Sequence, residues 1–219
     1  GRRSAVDVTH EGLVSRHLNR RLSRPLSRWL AKTPVTTNQV SMASFAIALA
    51  SLALFLGGYN ILAGVAAQAS AIVDGADGDL ARLKGTATRF GGFFDAVLDR
   101  YADVAIIGGL GYWSAIYEAK VSSGFVGLVA LLAIAGALMI SYTRARAEAS
   151  MGLTFNGLAL TLASRDARLL LVMIGAVLGQ GLATLAILAV ATNGVVIWRV
   201  GLARSSAGDP SRPQAGPDA

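Results

Sequence analysis

Apolar residues dominate the chain after residue 35, in six runs broken by short polar stretches. The runs cover about 38–57, 60–82, 90–115, 122–147, 165–180 and 182–203. Five of them reach the ~20 residues that a helix needs to cross a bilayer, and the fifth in order falls short. Thr36, Thr37 and Asn38 are cap candidates for the first run, and Gly179-Gln180-Gly181 marks a turn between the last two. Residues 11–32 follow a different pattern. Leu13, Leu18, Leu22, Leu26 and Leu30 recur every four or five positions, while Arg16, Arg20, Arg21, Arg24 and Arg28 fill other places. This predicts a helix lying in the membrane interface, against the plainer alternative of a solvated basic helix. Pro25 is expected to kink or split it. After Arg204 the chain becomes rich in Ser, Pro and Gly, which predicts a disordered tail. The expected protein is all-α and polytopic: an N-terminal interfacial region over 1–35, six transmembrane helices over 36–204, and a tail over 205–219.

Composition agrees with that pattern. Hydrophobic residues make up 53% and charged residues 15%, the latter against ~25% in ordinary globular chains. A disordered chain is excluded, and a soluble globular domain does not fit. There is no cysteine, so disulfides, thiolate nucleophiles and Cys-ligated metals are excluded. Both histidines, His10 and His17, precede the first apolar run. A metal inside the membrane region would therefore need oxygen ligands, which favours Mg²⁺, Mn²⁺ or Ca²⁺.

The net charge of +7 does not point to nucleic acid, because the basic residues flank apolar runs. With six spans, 19 of the 20 Lys/Arg fall on the side of the termini and only Lys120 on the other. The positive-inside rule then places both termini, and the polar ends of spans two to five, in the cytoplasm. Contact with anionic membrane lipids is expected.

The chemistry concentrates where the second run ends (AIVDGADGDLARLKG) and the third begins (FGGFFDAVLDRYAD). At about 100° per residue, Asp74 and Asp77 lie about 60° apart on one helix and Asp95 and Asp99 about 40° apart on the next. The intervening loop is short, so the two helices are expected to be antiparallel neighbours whose acidic pairs meet at one depth. Four clustered carboxylates at a membrane face need neutralising. One or two divalent cations do this best, and two metals suit in-line phosphoryl transfer. Gly75, Gly78, Gly91 and Gly92 allow close backbone approach or plain helix packing. Arg82 is placed to meet a phosphate. Asp79 is expected to be solvated, and Asp103, one turn beyond Asp99, to be structural.

The spacing Asp74-x2-Asp77-Gly78-x2-Ala81-Arg82-x8-Gly91-x3-Asp95-x3-Asp99 resembles the full signature of the CDP-alcohol phosphotransferase family at all eight fixed positions. The six-run layout and the amphipathic N-terminal stretch are similar to that family too. The resemblance implies transfer of a substituted phosphoryl group from a CDP-alcohol to an acceptor hydroxyl, with release of CMP. It implies that Asp74, Asp77 and Asp95 ligate Mg²⁺ or Mn²⁺, as two ions, with Asp99 also at the metal site and acting as general base. It implies a CDP site formed by Asp74, Gly78, Ala81, Arg82 and Gly91, and a homodimer.

Arg144, Arg146, Arg165 and Arg168 lie at the cytoplasmic ends of spans four and five. The plain reading is topology, but beside an acidic site they also suggest an anion pocket for the acceptor. The segment SYTRARAEA (141–149) resembles inositol-phosphate-using members of the family, so inositol phosphate is the first acceptor considered and glycerol phosphate the second. CDP-diacylglycerol and CDP-inositol both remain open as donors. The stretch through AKTPVTTNQVS resembles the membrane part of the di-myo-inositol phosphate phosphate synthases, except at Thr37, where relatives often have proline. In some of those a soluble cytidylyltransferase domain comes first. The Gly-Arg-Arg start, without methionine, suggests a longer native chain or a tag remnant. The rivals are a divalent-cation transporter with a carboxylate site and a membrane anchor for another domain. The transporter predicts acidic residues at mid-depth and an internal repeat, and neither is seen.

Overall fold

The computed structural model describes residues 19–118, 120–155 and 164–207. Leu13, Leu18, Arg16, the two histidines and the tail beyond Ala207 lie outside the described residues. Seven α-helices and no strand occur among the described residues: α1 (Arg20–Leu30), α2 (Thr37–Leu56), α3 (Asn60–Lys84), α4 (Arg89–Trp113), α5 (Ser123–Met151), α6 (Arg165–Val177) and α7 (Gly181–Ala207). A π-helical turn, Ser114–Glu118, extends α4.

Local chemistry sets the boundaries. Thr36 and Gln39 form a reciprocal capping box at the start of α2, with N–H to side-chain oxygen distances of 2.9 and 3.3 Å. Thr88 accepts the Gly91 N–H at 2.9 Å and so starts α4. Gly85 closes α3 and Gly152 closes α5 in the left-handed region, at φ 63° and 60°. At the other end of the bundle, the Glu118 carboxylate accepts hydrogen bonds from Ser114 Oγ (2.6 Å) and the Leu182 N–H (2.9 Å), which ties the π turn to the first turn of α7.

Three helices, α2, α5 and α7, are long and apolar enough to cross a membrane. These, with the membrane character of the sequence, mark the chain as a membrane protein. α3 and α4 have 25 residues each but carry the aspartates, and α6 has 13. α6 would reach about 20 Å at 1.5 Å per residue, less than a ~30 Å hydrocarbon core.

Three expectations change. α1 runs through Pro25 as one helix rather than splitting there. Pro25 stands at the middle of α1 on its exposed side, where water can satisfy the carbonyl that loses its hydrogen bond to the missing N–H. α1 buries Ser23 and Ser27 and packs on α3 with Ser23 opposite Gly75. The second change concerns α3 and α4. They are not neighbours along their length; α2 packs along both, while they touch each other only sparsely. α7 also continues through residues 205–207, where the sequence suggested tail.

Small residues make this packing possible. Ala48, Ala63, Ala67, Ala71 and Ala102 are fully buried around Phe55, Ile106 and Leu110. A Cβ at Gly64 would lie 2.8 Å from Ala176 Cβ and 3.1 Å from Met173 Cα, so α3 and α6 meet almost backbone to backbone there. Gly136 on α5 faces Thr192 of α7 in the same way.

Candidate active site

The sparse meeting of α3 and α4 is where the aspartates converge. One carboxylate oxygen each from Asp74, Asp95 and Asp99 lie within 4.8 Å of one another. Asp77 is buried one turn along α3, faces Asp95, and accepts a hydrogen bond from Ser41 Oγ. Ser44 donates to Asp74 Oδ1 at 3.3 Å and to the Ser70 carbonyl at 3.2 Å. α2 therefore contributes two hydroxyls, three residues apart on one face, to the acidic pair of α3. The SMAS segment carries this signal, but only once α2 is known to lie against α3.

Beside the carboxylates is a cavity of about 320 Å³, lined by Thr37, Asn38, Ser41, Asp77, Gly78, Ala81, Arg82, Thr86, Ala87, Thr88, Gly91, Gly92 and Asp95. Gly78, Ala81, Arg82 and Gly91, the residues expected around CDP, share this wall. Asp74, expected with them, instead faces α6. A Cβ added at Gly92 would meet nothing within 4 Å and one at Gly78 only Arg82 Nη2 at 3.9 Å, so both glycines border open space rather than a packed helix. Arg82 pairs with Asp79 at 3.1 Å, so Asp79 is not simply solvated. Thr37, whose Oγ1 is buried without a hydrogen-bond partner, lines this cavity.

The four arginines considered for an anion pocket divide into two sets. Arg165 and Arg168, on α6, turn inward. Arg165 Nη1 lies 2.7 Å from Asp74 Oδ2 and 2.8 Å from Asp99 Oδ1, and its Nε lies 3.3 Å from Asp103 Oδ1. Arg168 Nη2 donates to Asp103 Oδ2 at 2.6 Å. Asp103, 1% exposed, is thus the buried anchor of both, and this fits its expected structural part. Arg100 adds contacts to Asp99 (3.3 Å) and Ser141. Arg144 and Arg146, on α5, are exposed, and Arg144 pairs with Glu148 at 3.1 Å.

Arg199 was not singled out in the sequence. It is 2% exposed in α7, donates to the Ile140 carbonyl and to Thr143 Oγ1 (3.2 Å), and stacks 5.2 Å from the centre of the Phe155 ring. Its signal is a lone arginine inside the apolar run VVIWRVGL.

The donor set suits a hard divalent cation. It consists of carboxylates and hydroxyls, and Asp95 Oδ1 is buried without a hydrogen-bond partner. Asp74, Asp77, Asp95, Asp99 and Asp103 are faced by three guanidiniums, of Arg100, Arg165 and Arg168, so the fully ionised cluster carries two surplus negative charges.

Residues 35–203 match the family model described as CDP-alcohol phosphatidyltransferase. The chain belongs to this family. Curated relatives within it are transferases and synthases of phosphate-containing groups. The chain is 41% identical over 173 residues to the bifunctional IPC transferase and DIPP synthase of Rubrobacter xylanophilus, an alignment covering 78% of this chain and 37% of that protein. The chain thus spans little more than a third of that relative. It is 34% identical over 205 residues to the phosphatidylinositol phosphate synthase of Mycobacteroides abscessus, covering 90% of both. Among solved structures, the Mycobacterium tuberculosis phosphatidylinositol phosphate synthase with CDP-DAG bound superposes with a TM-score of 0.70 at 28% identity, over 88% of this chain and 98% of that one. The same enzyme in complex with manganese and citrate gives 0.68 at 26% identity, over 87% and 93%.

Proposed function

We propose that this CDP-alcohol phosphatidyltransferase family member is an integral-membrane enzyme with six spans and a cytoplasmic active site. It moves a substituted phosphoryl group from CDP-diacylglycerol or CDP-inositol to a hydroxyl of inositol phosphate and releases CMP. The observation that carries this reading is the cavity walled by Gly78, Ala81, Arg82 and Gly91, which shares Asp77 and Asp95 with the carboxylate cluster. A relative with bound CDP-DAG and another named for phosphatidylinositol phosphate synthesis support the choice of substrates.

The residues divide the work. Asp74, Asp77, Asp95 and Asp99 would hold Mg²⁺ or Mn²⁺, which supplies charge neutralisation on the diphosphate and on the departing phosphate. Gly78 and Gly92 leave room for the nucleotide, and Arg82 at the cavity wall binds phosphate. Asp99 accepts the proton of the acceptor hydroxyl as its oxygen bonds to phosphorus and the bond from phosphorus to CMP breaks. Arg100 and Arg165, both in contact with Asp99, fix the direction of that carboxylate. Arg144 and Arg146 of α5 and Arg165 of α6 attract the acceptor's own phosphate, while Arg168 is held on the buried Asp103.

The test is CMP release by the purified chain with Mg²⁺ or Mn²⁺. CDP-diacylglycerol and CDP-inositol are each offered with inositol phosphate, glycerol phosphate or no acceptor. Release that depends on inositol phosphate with one donor is the expected result. No release from any pair overturns the reading.

A further inference from the structure

Arg165 makes two contacts that a metal-binding carboxylate pair would not be expected to spare. Its Nη1 bridges Asp74 Oδ2 at 2.7 Å and Asp99 Oδ1 at 2.8 Å. The remaining oxygens of that pair are also engaged: Asp74 Oδ1 accepts from Ser44, and Asp99 Oδ2 accepts from Arg100. A cation on Asp74 and Asp99 would have to share these same oxygens, through their second lone pairs, with the guanidinium. The guanidinium and the cation therefore oppose each other by charge and by crowding at one pair of carboxylates. Arg165 also has a donor to spare, since its Nη2 is buried without a hydrogen-bond partner. Its Nε is held separately, 3.3 Å from the buried Asp103, which Arg168 fixes from the next turn of α6. The Nη1 end can thus change partner while the Nε end stays anchored.

We infer that Arg165 is a positioning residue with two alternative partners, the Asp74–Asp99 pair and the phosphate of the acceptor, so that acceptor phosphate and divalent metal bind cooperatively. The inference rests on the proposed phosphotransferase reading of this site. A phosphate dianion is a good partner for the planar guanidinium fork. When it draws Nη1 away, the two carboxylates regain oxygens and negative charge for the cation. Linkage requires the converse as well: metal on the carboxylates raises phosphate affinity by the same factor. The arrangement favours a site that holds metal firmly only when an acceptor is present.

The experiment is Mn²⁺ titration of the full chain in detergent, followed by electron paramagnetic resonance. It is run with and without inositol 1-phosphate, at concentrations that leave the free Mn²⁺ signal unchanged in the absence of protein. For the wild-type chain, inositol phosphate should tighten Mn²⁺ binding by about tenfold, a usual size for coupling between sites. Arg165→Gln should bind Mn²⁺ tightly without phosphate and show no further tightening. Arg165→Lys, which keeps the charge without the fork, should recover part of the linkage. Arg168→Gln, which alters the guanidinium on Asp103 instead, should retain most of it. Equal linkage in Arg165→Gln and wild type overturns the inference, as does equal loss in Arg168→Gln and Arg165→Gln. If Arg165→Gln fails to fold, absence of linkage in the wild-type chain overturns it alone. CMP release by the same preparation separates the two levels. Turnover without linkage removes the exchange and leaves the reaction, whereas linkage without turnover of any substrate pair does the reverse.

Discussion

The ammonium group of Lys84 lies 2.7 Å from the carbonyl oxygen of Val35, and it donates also to the carbonyl of Thr33 at 2.6 Å. The last turn of α3 is thereby fastened to the link between α1 and α2. That link runs directly into Thr37 and Asn38, and α3 supplies Ala81 and Arg82, so the bond braces two walls of the proposed nucleotide cavity. Lys84→Met removes both bonds. The expected result is a loss of about 2 kcal/mol in stability, from the usual worth of hydrogen bonds to charged groups, and a several-fold rise in KM for the CDP-alcohol with kcat little changed. Thermal melting and donor kinetics check this; an unaltered donor KM would show that the link does not shape the cavity.

The glycines of α3 and α4 separate by what surrounds them. A side chain at Gly92 enters open space, whereas one at Gly64 meets Ala176 and the backbone of Met173. Gly92→Ala should therefore be tolerated, with a gain of about 0.5–1 kcal/mol from helix propensity. Gly92→Leu should leave the melting temperature in place but raise donor KM by an order of magnitude or so, because it fills the cavity. Gly64→Ala should cost about 1–3 kcal/mol through overpacking of α3 on α6. Parallel melting curves and donor titrations distinguish the cases. Equal melting temperatures for Gly64→Ala and Gly92→Ala would contradict this division.

These examples show how much the sequence discloses. The spacing from Asp74 to Asp99 announces the acidic centre, because helical periodicity alone puts each pair on one face. The apolar runs disclose nearly every helix to within a few residues. Periodicity tells which face of a helix is buried but not which neighbour covers it. For that reason α2 between α3 and α4 was not legible, nor were the hydroxyls of Ser41 and Ser44 on the aspartates. The same limit explains Arg165. Its partner Asp74 is 91 positions away in the sequence, and an arginine at the end of an apolar run has a sufficient explanation in topology. Only the packing of α6 on α3 reveals that it points at carboxylates. Pro25 misled for a local reason: it stands mid-helix on the exposed side of α1, where water can replace the one hydrogen bond it removes.

The two sets of arginines should fail in different ways. Arg168 is buried on Asp103, and Arg168→Ala leaves that carboxylate with only Arg165 and the more distant Arg100. A destabilisation of about 3 kcal/mol is expected from breaking a buried ion pair on one side. Arg144 is exposed and, among the described residues, pairs with Glu148, an exposed pair of little energetic weight. Arg144→Ala should leave the melting temperature unmoved and weaken the acceptor more than the CDP-alcohol. Acceptor and donor KM values, measured beside the melting curves, give the answer. An unchanged acceptor KM in Arg144→Ala would remove α5 from the proposed acceptor pocket.

Asp99 offers the sharpest test of the chemical step. Its two carboxylate oxygens receive Arg165 and Arg100 on opposite sides, so the group is oriented from both. An asparagine there keeps the shape but removes the proton acceptor, and its amide nitrogen must face one of two guanidiniums. Asp99→Asn should lower transfer by about 10²–10⁴-fold, the range of a lost general base. The cavity wall formed by Gly78, Ala81, Arg82 and Gly91 does not include Asp99, so CDP-alcohol affinity should fall far less. Single-turnover CMP release measures the first quantity and calorimetric titration with the CDP-alcohol the second. Turnover close to wild type would take the proton from Asp99 and leave Asp74, Asp77 or Asp95, the other proposed metal ligands, to account for it. Those three carboxylates have no other reason to be spared from the cation, so the outcome would separate binding from proton transfer among four residues that the fold brings to one place.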